Sequence, residues 1–260
     1  MSEPVRHAHL ASASLAEDAG YQTAADIALL CAELGIQYRL IGGLAVALIH
    51  AAHGAPGEVP SRQTADADLG AEDHIVAESG LDVRLLGQGY RRTEGNRFVK
   101  GEGDLARVID VLVPAMGDRI ATNVPCGPLT VDAIPGLRLA LSTEPLPLSV
   151  SVLLSTGETL NTSVDLPQVI PAIVLKAYAF AARSHERDLL DLWKLFETAH
   201  SVGIRVADWQ PVHAQKRDAI RRLRQREVPA TGVGANIARD RGWPHQRIAA
   251  LVHQYIPAIG

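Results

Sequence analysis

The chain has 260 residues, 47% of them hydrophobic, enough to bury one large core or two modest ones. Its formal charge of -4 excludes a polycation, so any nucleic-acid partner must be held by a local basic patch. Two cysteines, Cys31 and Cys126, lack metal-ligand spacing and are too few for a disulfide framework; no apolar run is long enough to span a membrane and the start lacks a signal-peptide core, so a cytoplasmic protein with no membrane partner is expected.

The first residues, "MSEPVRHAHLASAS", are polar and expected to be loose, and His7 and His9 have no third ligand nearby. From Leu15 to Leu34, the residues Ala19, Ala24, Ile27, Leu30 and Leu34 recur at helical intervals until Gly35, which predicts a helix packed behind a sheet. Tyr38–Ile41 then reads as a strand, stopped by Gly42 and Gly43, which open the helical pattern "LAVALIHAAH". Such a turn brings backbone N–H groups and the positive end of a helix within reach of a phosphate. After a surface loop, "HGAPGEVPSR", Arg62 and Thr64 precede Asp66 and Asp68, which alternate with Ala65, Ala67 and Leu69. On a strand both carboxylates point to one face and the small apolar side chains to the other. Side by side they raise each other's pKa unless a cation sits between them, and a metal is the economical explanation. "EDHIVAESG" predicts a brief helix.

Residues 81–113, with "LDVRLL", "NRFVKG" and "ARVIDVLVPA", read as strands and a hairpin. The most strand-like run, "RVIDVLVP", carries Asp110 in its middle, where a carboxylate is costly unless paired, hydrogen-bonded or bound to metal. A water-facing edge strand is the ordinary alternative; the pattern favours a third acid beside Asp66 and Asp68. Prolines break the following stretch into short pieces, of which "SVSVLLSTGETLNTSV" reads as a hairpin around Thr156 and Gly157 that either completes the sheet or links it to the C-terminal part.

"DLPQVIPAIVLKAYAFAARSHERDLLDLWKLFETAH" is mostly helical, with Ile173, Ala177, Phe180 and Ala181 in a buried stripe and Lys176 beside it. That lysine either snorkels from a packed helix or reaches an anion in a cleft, and the upstream acids favour a nucleotide phosphate. Arg187 and Asp191, four apart, have the spacing of a helix-surface ion pair. In "HAQKRDAIRRLRQRE", Arg217, Arg221 and Arg224 share a helical face that suits an RNA backbone and solvent equally. Trp209, Trp243 and Tyr255 are spaced irregularly, like core anchors rather than a stacking platform.

Taken in order, Gly42-Gly43, "RQTADADL", "VIDVLV" and the segment from Lys176 to Asp191 resemble the nucleotidyltransferase superfamily, and most of all the branch containing the AbiEii-type toxins of abortive-infection and toxin–antitoxin systems. The resemblance runs from about residue 24 to about residue 200. It implies an α+β fold: a mixed sheet with flanking helices over residues 15–165, then a mainly helical domain over 166–260 that closes a nucleotide cleft. It implies Mg²⁺-dependent transfer of an NMP from an NTP to a hydroxyl, with Asp66, Asp68 and Asp110 on the metal and Lys176 assisting. Gly42, Gly43, Arg62, Thr64, Lys176, Arg187, Asp188 and Asp191 would surround the nucleotide. The acceptor it suggests is RNA, specifically tRNA, with a cognate antitoxin as a further partner. A small-molecule enzyme of the aminoglycoside-modifying kind and a non-catalytic nucleotide-binding or antitoxin-like scaffold are the alternatives.

Overall fold

Alternating burial along RHAHLA makes a strand of the segment expected to be loose. This strand, β1 (Arg6–Ala11), buries Ala8 and pairs in parallel with the backbone of residues Leu148 to Leu153. The docking is a tertiary effect: a terminal segment covers what would otherwise be an open sheet edge. The structure, a computed structural model, describes residues 5–55, 59–60, 64–228 and 231–258.

Helix α1 (Leu15–Leu34) begins where the Ser14 side chain accepts from the Glu17 N–H and ends at Gly35, whose φ of 64° gives the left-handed turn that L side chains resist. Ile27 and Leu30 are fully buried. β2 (Tyr38–Ile41) is buried at every residue and passes directly into α2 (Gly42–Ala52). β3 (Asp66–Ala71) pairs antiparallel with β2. α1 packs across this part of the sheet, and Gly20 makes the approach close: a Cβ there would lie 2.3 Å from the Thr64 carbonyl oxygen.

Helix α3 (Asp73–Glu78) forms as expected, but "LDVRLL" is not a strand: it forms α4 (Leu81–Gly87). Leu81 and Leu85, four apart, are buried while Val83 and Leu86 face solvent, a helical division that a short apolar run does not reveal by itself. β4 (Arg91–Arg92), β5 (Arg97–Lys100) and β6 (Arg107–Pro114) follow, then the hairpin of β7 (Ala121–Cys126) and β8 (Leu129–Ile134). The large sheet runs β2-β3-β6-β5-β4, and β8 lies parallel to the last residues of β6. After α5 (Leu137–Ser142), the hairpin of β9 (Leu146–Leu153) and β10 (Thr159–Leu166) turns near Gly157, at φ 88°. It does not complete the large sheet; with β1 it makes a separate sheet of order β1-β9-β10, whose last strand leads into the helical region.

That region contains α6 (Val169–Arg183), α7 (Glu186–Ser201), a 3-10 turn (Val206–Trp209), α8 (Ala214–Arg221), a π-helical turn (Arg222–Glu227), α9 (Val233–Asp240) and α10 (His245–Tyr255). α6 and α7 are separated at Ser184, which takes a left-handed conformation. The protein is thus a mixed α/β region with a multi-stranded sheet flanked by helices, followed by a mainly helical C-terminal region. One continuous cluster of buried apolar side chains runs through both, with Trp209 fully buried and the Trp193 and Trp243 rings 6.2 Å apart. Cys31 and Cys126 are buried free thiols. Among the described residues no helix is long and apolar enough to cross a membrane.

The contact at Gly20 is testable. Gly20→Ala requires the backbone of α1 or of the segment entering β3 to shift, so stability falls by about 1–3 kcal/mol, read as a lower midpoint in urea unfolding with an unchanged slope.

Candidate metal centre

Strand register brings the acids together. In the parallel pairing of β3 with β6, Asp68 stands opposite Asp110 and Asp66 opposite Val108. Ala67 and Leu69 are buried on the core side, while Asp66, Asp68 and Asp110 are half-buried on the other face. Each acid has a carboxylate oxygen within 4.8 Å of the others, a set that can chelate one metal ion. Three carboxylates without nitrogen or sulfur suit a hard divalent cation such as Mg²⁺. Glu72, Asp73 and His74 also converge, but Asp73 and His74 are exposed, Glu72 pairs with Arg138 at 3.3 Å, and no cleft residue joins them.

Asp110 lies on an internal strand, not a water-facing edge, and has a partner that the sequence reading missed. Arg97, opposite it in the β5–β6 pairing, donates from Nε to Oδ1 at 2.9 Å and from Nη2 to Oδ2 at 2.7 Å. The only signal was a basic residue at the start of "NRFVKG", and its meaning depends on a register that local sequence does not fix.

Gly42 is required by the same carboxylates. Its φ is 84°, and a Cβ on it would lie 2.0 Å from Asp68 Oδ2. The Asp68 carboxylate therefore rests against the first turn of α2, at the positive end of that helix. Gly43 follows it, half-buried in the same turn. Burial at the foot of the cleft, with Asp66 and Asp110 adding like charge, pushes the Asp68 carboxyl up to about 7, against the opposing pull of Lys176 and Arg183.

The cleft above Asp68 and Gly42 is walled by α6, which contributes Lys176, Tyr178 and Arg183, and by Ile120 and Ile134 opposite. Lys176 is buried, with Nζ 2.7 Å from Asp191 Oδ2 and 3.7 Å from Asp188 Oδ1. Arg183 forks onto Asp188 at 3.1 and 2.8 Å. Asp191 thus turns toward Lys176 from behind the cleft rather than toward Arg187, which is exposed at the start of α7 and outside this network. Thr64 is buried beneath α1, while Arg62 lies outside the described residues.

The basic face is smaller than expected. Arg224 is not aligned with Arg217 and Arg221: past α8 the helix widens into the π turn, the angular repeat changes, and Arg224 reaches the end of α10. There it donates to the carbonyls of Ile256 at 2.9 and 2.6 Å and of His253 at 2.8 Å. Arg217 and Arg221 are exposed, and among the described residues neither has an ion-pair partner.

No protein-family model matches the chain, and no curated protein matches it in sequence. The site's chemistry therefore rests on its own geometry.

Two outcomes follow from that geometry. Gly42→Ala drives a methyl group into Asp68 at a backbone conformation alanine resists, so divalent-ion binding is lost and the melting temperature falls. Asp68, with its folded pKa raised from 3.8 to about 7, binds more protons folded than unfolded between those values. Its contribution to metal-free stability therefore declines as pH rises from about 4 to 7 and stays unfavourable above. Asp68→Asn removes that penalty: relative to wild type the metal-free variant gains on the order of 1–3 kcal/mol at pH 8 and little at pH 4.5, measured by thermal melts in chelator.

Proposed function

We propose that this protein is a Mg²⁺-dependent nucleotidyltransferase, with residues 15–165 forming the catalytic part and 166–260 closing the cleft over an NTP. The observation that carries this reading is a cluster of three acids on adjacent strands whose member Asp68 lines a cleft together with the glycine turn at a helix start and a cation on the helix opposite. A metal ion alone would need only the acids; the turn and Lys176 are the additional features that suit a polyphosphate. Resemblance to the AbiEii-type branch supports the same conclusion.

Asp66, Asp68 and Asp110 would hold the ion, which supplies charge neutralisation at the phosphoryl oxygens when bound. The first turn of α2, from Gly42 and Gly43, faces the outer phosphates with its N–H groups. Lys176, held by Asp188 and Asp191, contributes positive charge from the opposite wall. In the transfer, an acceptor hydroxyl oxygen bonds to the α-phosphorus, the bond to the β-phosphate bridging oxygen breaks, and pyrophosphate leaves with that electron pair. The hydroxyl proton passes to Asp110, whose oxygens each keep a lone pair beyond those used by Arg97.

For the acceptor we take RNA, and tRNA within it, with Arg217 and Arg221 following the phosphates and a cognate antitoxin as the natural regulator. A second reading, a small-molecule acceptor, is favoured by one observation: Arg224 is engaged by carbonyls, which leaves a narrower basic face for a polynucleotide.

Incubating the protein with Mg²⁺, each labelled NTP and total RNA tests the reaction and the acceptor together. The expected products are pyrophosphate and labelled RNA, with Asp66→Asn slower by about 100-fold or more while remaining folded. Pyrophosphate with label on a polyol or aminoglycoside and none on RNA selects the second reading. No turnover with any NTP, alongside saturable nucleotide binding, selects the scaffold. If RNA is the acceptor, changing Arg217 and Arg221 to Gln weakens RNA binding across sequences and flattens its salt slope by about one unit per lost phosphate contact, leaving NTP binding unchanged.

A further inference from the structure

The grip of Arg97 on Asp110 has a direct bearing on how the acids receive a metal ion. Phe98, fully buried on the other face of β5, fixes the strand so that Arg97 faces the acids. The Val111 N–H donates to the Asn96 carbonyl at 2.9 Å and locks the same register. Arg97, Asp110 and Asp68 consequently stand in one row across β5, β6 and β3. The guanidinium fork takes both oxygens of Asp110 from one side, so that side is closed to a metal chelated by both oxygens together. One lone pair on each oxygen stays available, which makes Asp110 a one-oxygen ligand.

Charge adds a second effect. Lys176 and Arg183 pull on Asp68 from across the cleft but are shared with Asp191 and Asp188, whereas Arg97 sits in the row of acids itself. Among the described residues the ion-pair partner of Arg97 is Asp110, with Glu94 and Asp66 also acting on its charge, and Arg97 offsets one unit of the formal charge of the three acids. A fixed positive charge within a few ångströms of a divalent ion lowers that ion's affinity by about tenfold even with water-like screening.

The geometry points to Arg97 as a positioning residue that holds Asp110 to a single metal contact and keeps the resting affinity for a free divalent ion low, so that the ion is taken up with the polyphosphate substrate instead of being held permanently. This inference rests on the metal-dependent nucleotidyltransferase reading. The triphosphate supplies the negative charge that Arg97 offsets, and the site becomes attractive to the ion when nucleotide is present. Arg97 touches neither substrate nor ion; it acts through its hold on Asp110 and through its charge beside the acids.

The test is a titration of the full-length, nucleotide-free protein with Mn²⁺, following free ion by electron paramagnetic resonance. Arg97→Gln is expected to bind Mn²⁺ about tenfold more tightly than wild type, and Arg97→Lys, which keeps the charge but not the fork, to stay within about threefold. Arg97→Thr, a neutral residue suited to a strand, gives the same reading should the glutamine variant fold poorly. On an Asp110→Asn background the gain from removing Arg97 persists through charge alone and shrinks by the part due to the freed second oxygen. If the neutral variants bind Mn²⁺ less than about threefold more tightly than wild type, while Asp66→Asn abolishes binding, the inference about Arg97 is overturned and the metal site stands. If wild type shows no saturable Mn²⁺ binding with or without ATP, the metal reading fails and this inference with it.

Discussion

Three carboxylates within 4.8 Å of one another are the constraint around which this fold is arranged. At that separation two full charges repel by roughly 1 kcal/mol in bulk water and by roughly 3.5 kcal/mol at an effective dielectric of 20. The protein meets the repulsion with three separate devices. Asp110 is neutralised by Arg97, Asp68 lies at the positive end of α2 and holds a proton up to about pH 7, and the α6 wall presents cations across the cleft. Each device is set by backbone: the β5–β6 register, the left-handed turn at Gly42 and the packing of α6 over the sheet. A hydrophobic sheet of this kind has no need to gather acids at its centre, and the backbone features that gather them are those that position the site.

What could be read in the sequence were the features that depend on one stretch of chain at a time. The period of α1 and its stop at Gly35, the strand Tyr38–Ile41 ending in glycine, and the alternation that puts Asp66 and Asp68 on one face are all local rules, and each holds. Gly42 was legible as a turn, but its deeper reason, the contact with Asp68 Oδ2, involves a residue 26 positions away. Features that depend on pairing were hidden. β1 is a strand because β9 offers an edge, and Arg97 matters because it falls opposite Asp110; neither partner can be chosen without the sheet order.

The remaining differences come from side chains whose local surroundings suggested solvent. α4 alternates too briefly for strand and helix to be told apart until Leu81 and Leu85 are seen on the core side together. Arg224 follows the spacing of Arg217 and Arg221 on an ideal helix, and the π turn is what rotates it inward onto the α10 carbonyls. Lys216, in the same basic run, is likewise buried and donates to the Trp209 carbonyl at 2.9 Å. Among its described side chains, a run of positive charge in sequence is therefore divided here between two exposed arginines, Arg217 and Arg221, and others that satisfy carbonyls or acids.

Lys176 explains why the helical region belongs with the sheet rather than merely following it. A lysine buried without a partner would lose its charge or destabilise the fold, and a lysine paired tightly to one acid would have little field left for a ligand. Asp191 at 2.7 Å and Asp188 at 3.7 Å hold the ammonium unequally, and Asp188 is itself shared with Arg183. Asp188, Asp191, Lys176 and Arg183 are thus linked behind the cleft, with Lys176 fixed in direction and in contact with the cleft that also contains Asp68 and Gly42. Arrival of an anion there would add a partner to a lysine already held in place, with no desolvation of a mobile side chain to offset, and this preorganisation is what a fixed helix opposite a fixed row of acids supplies.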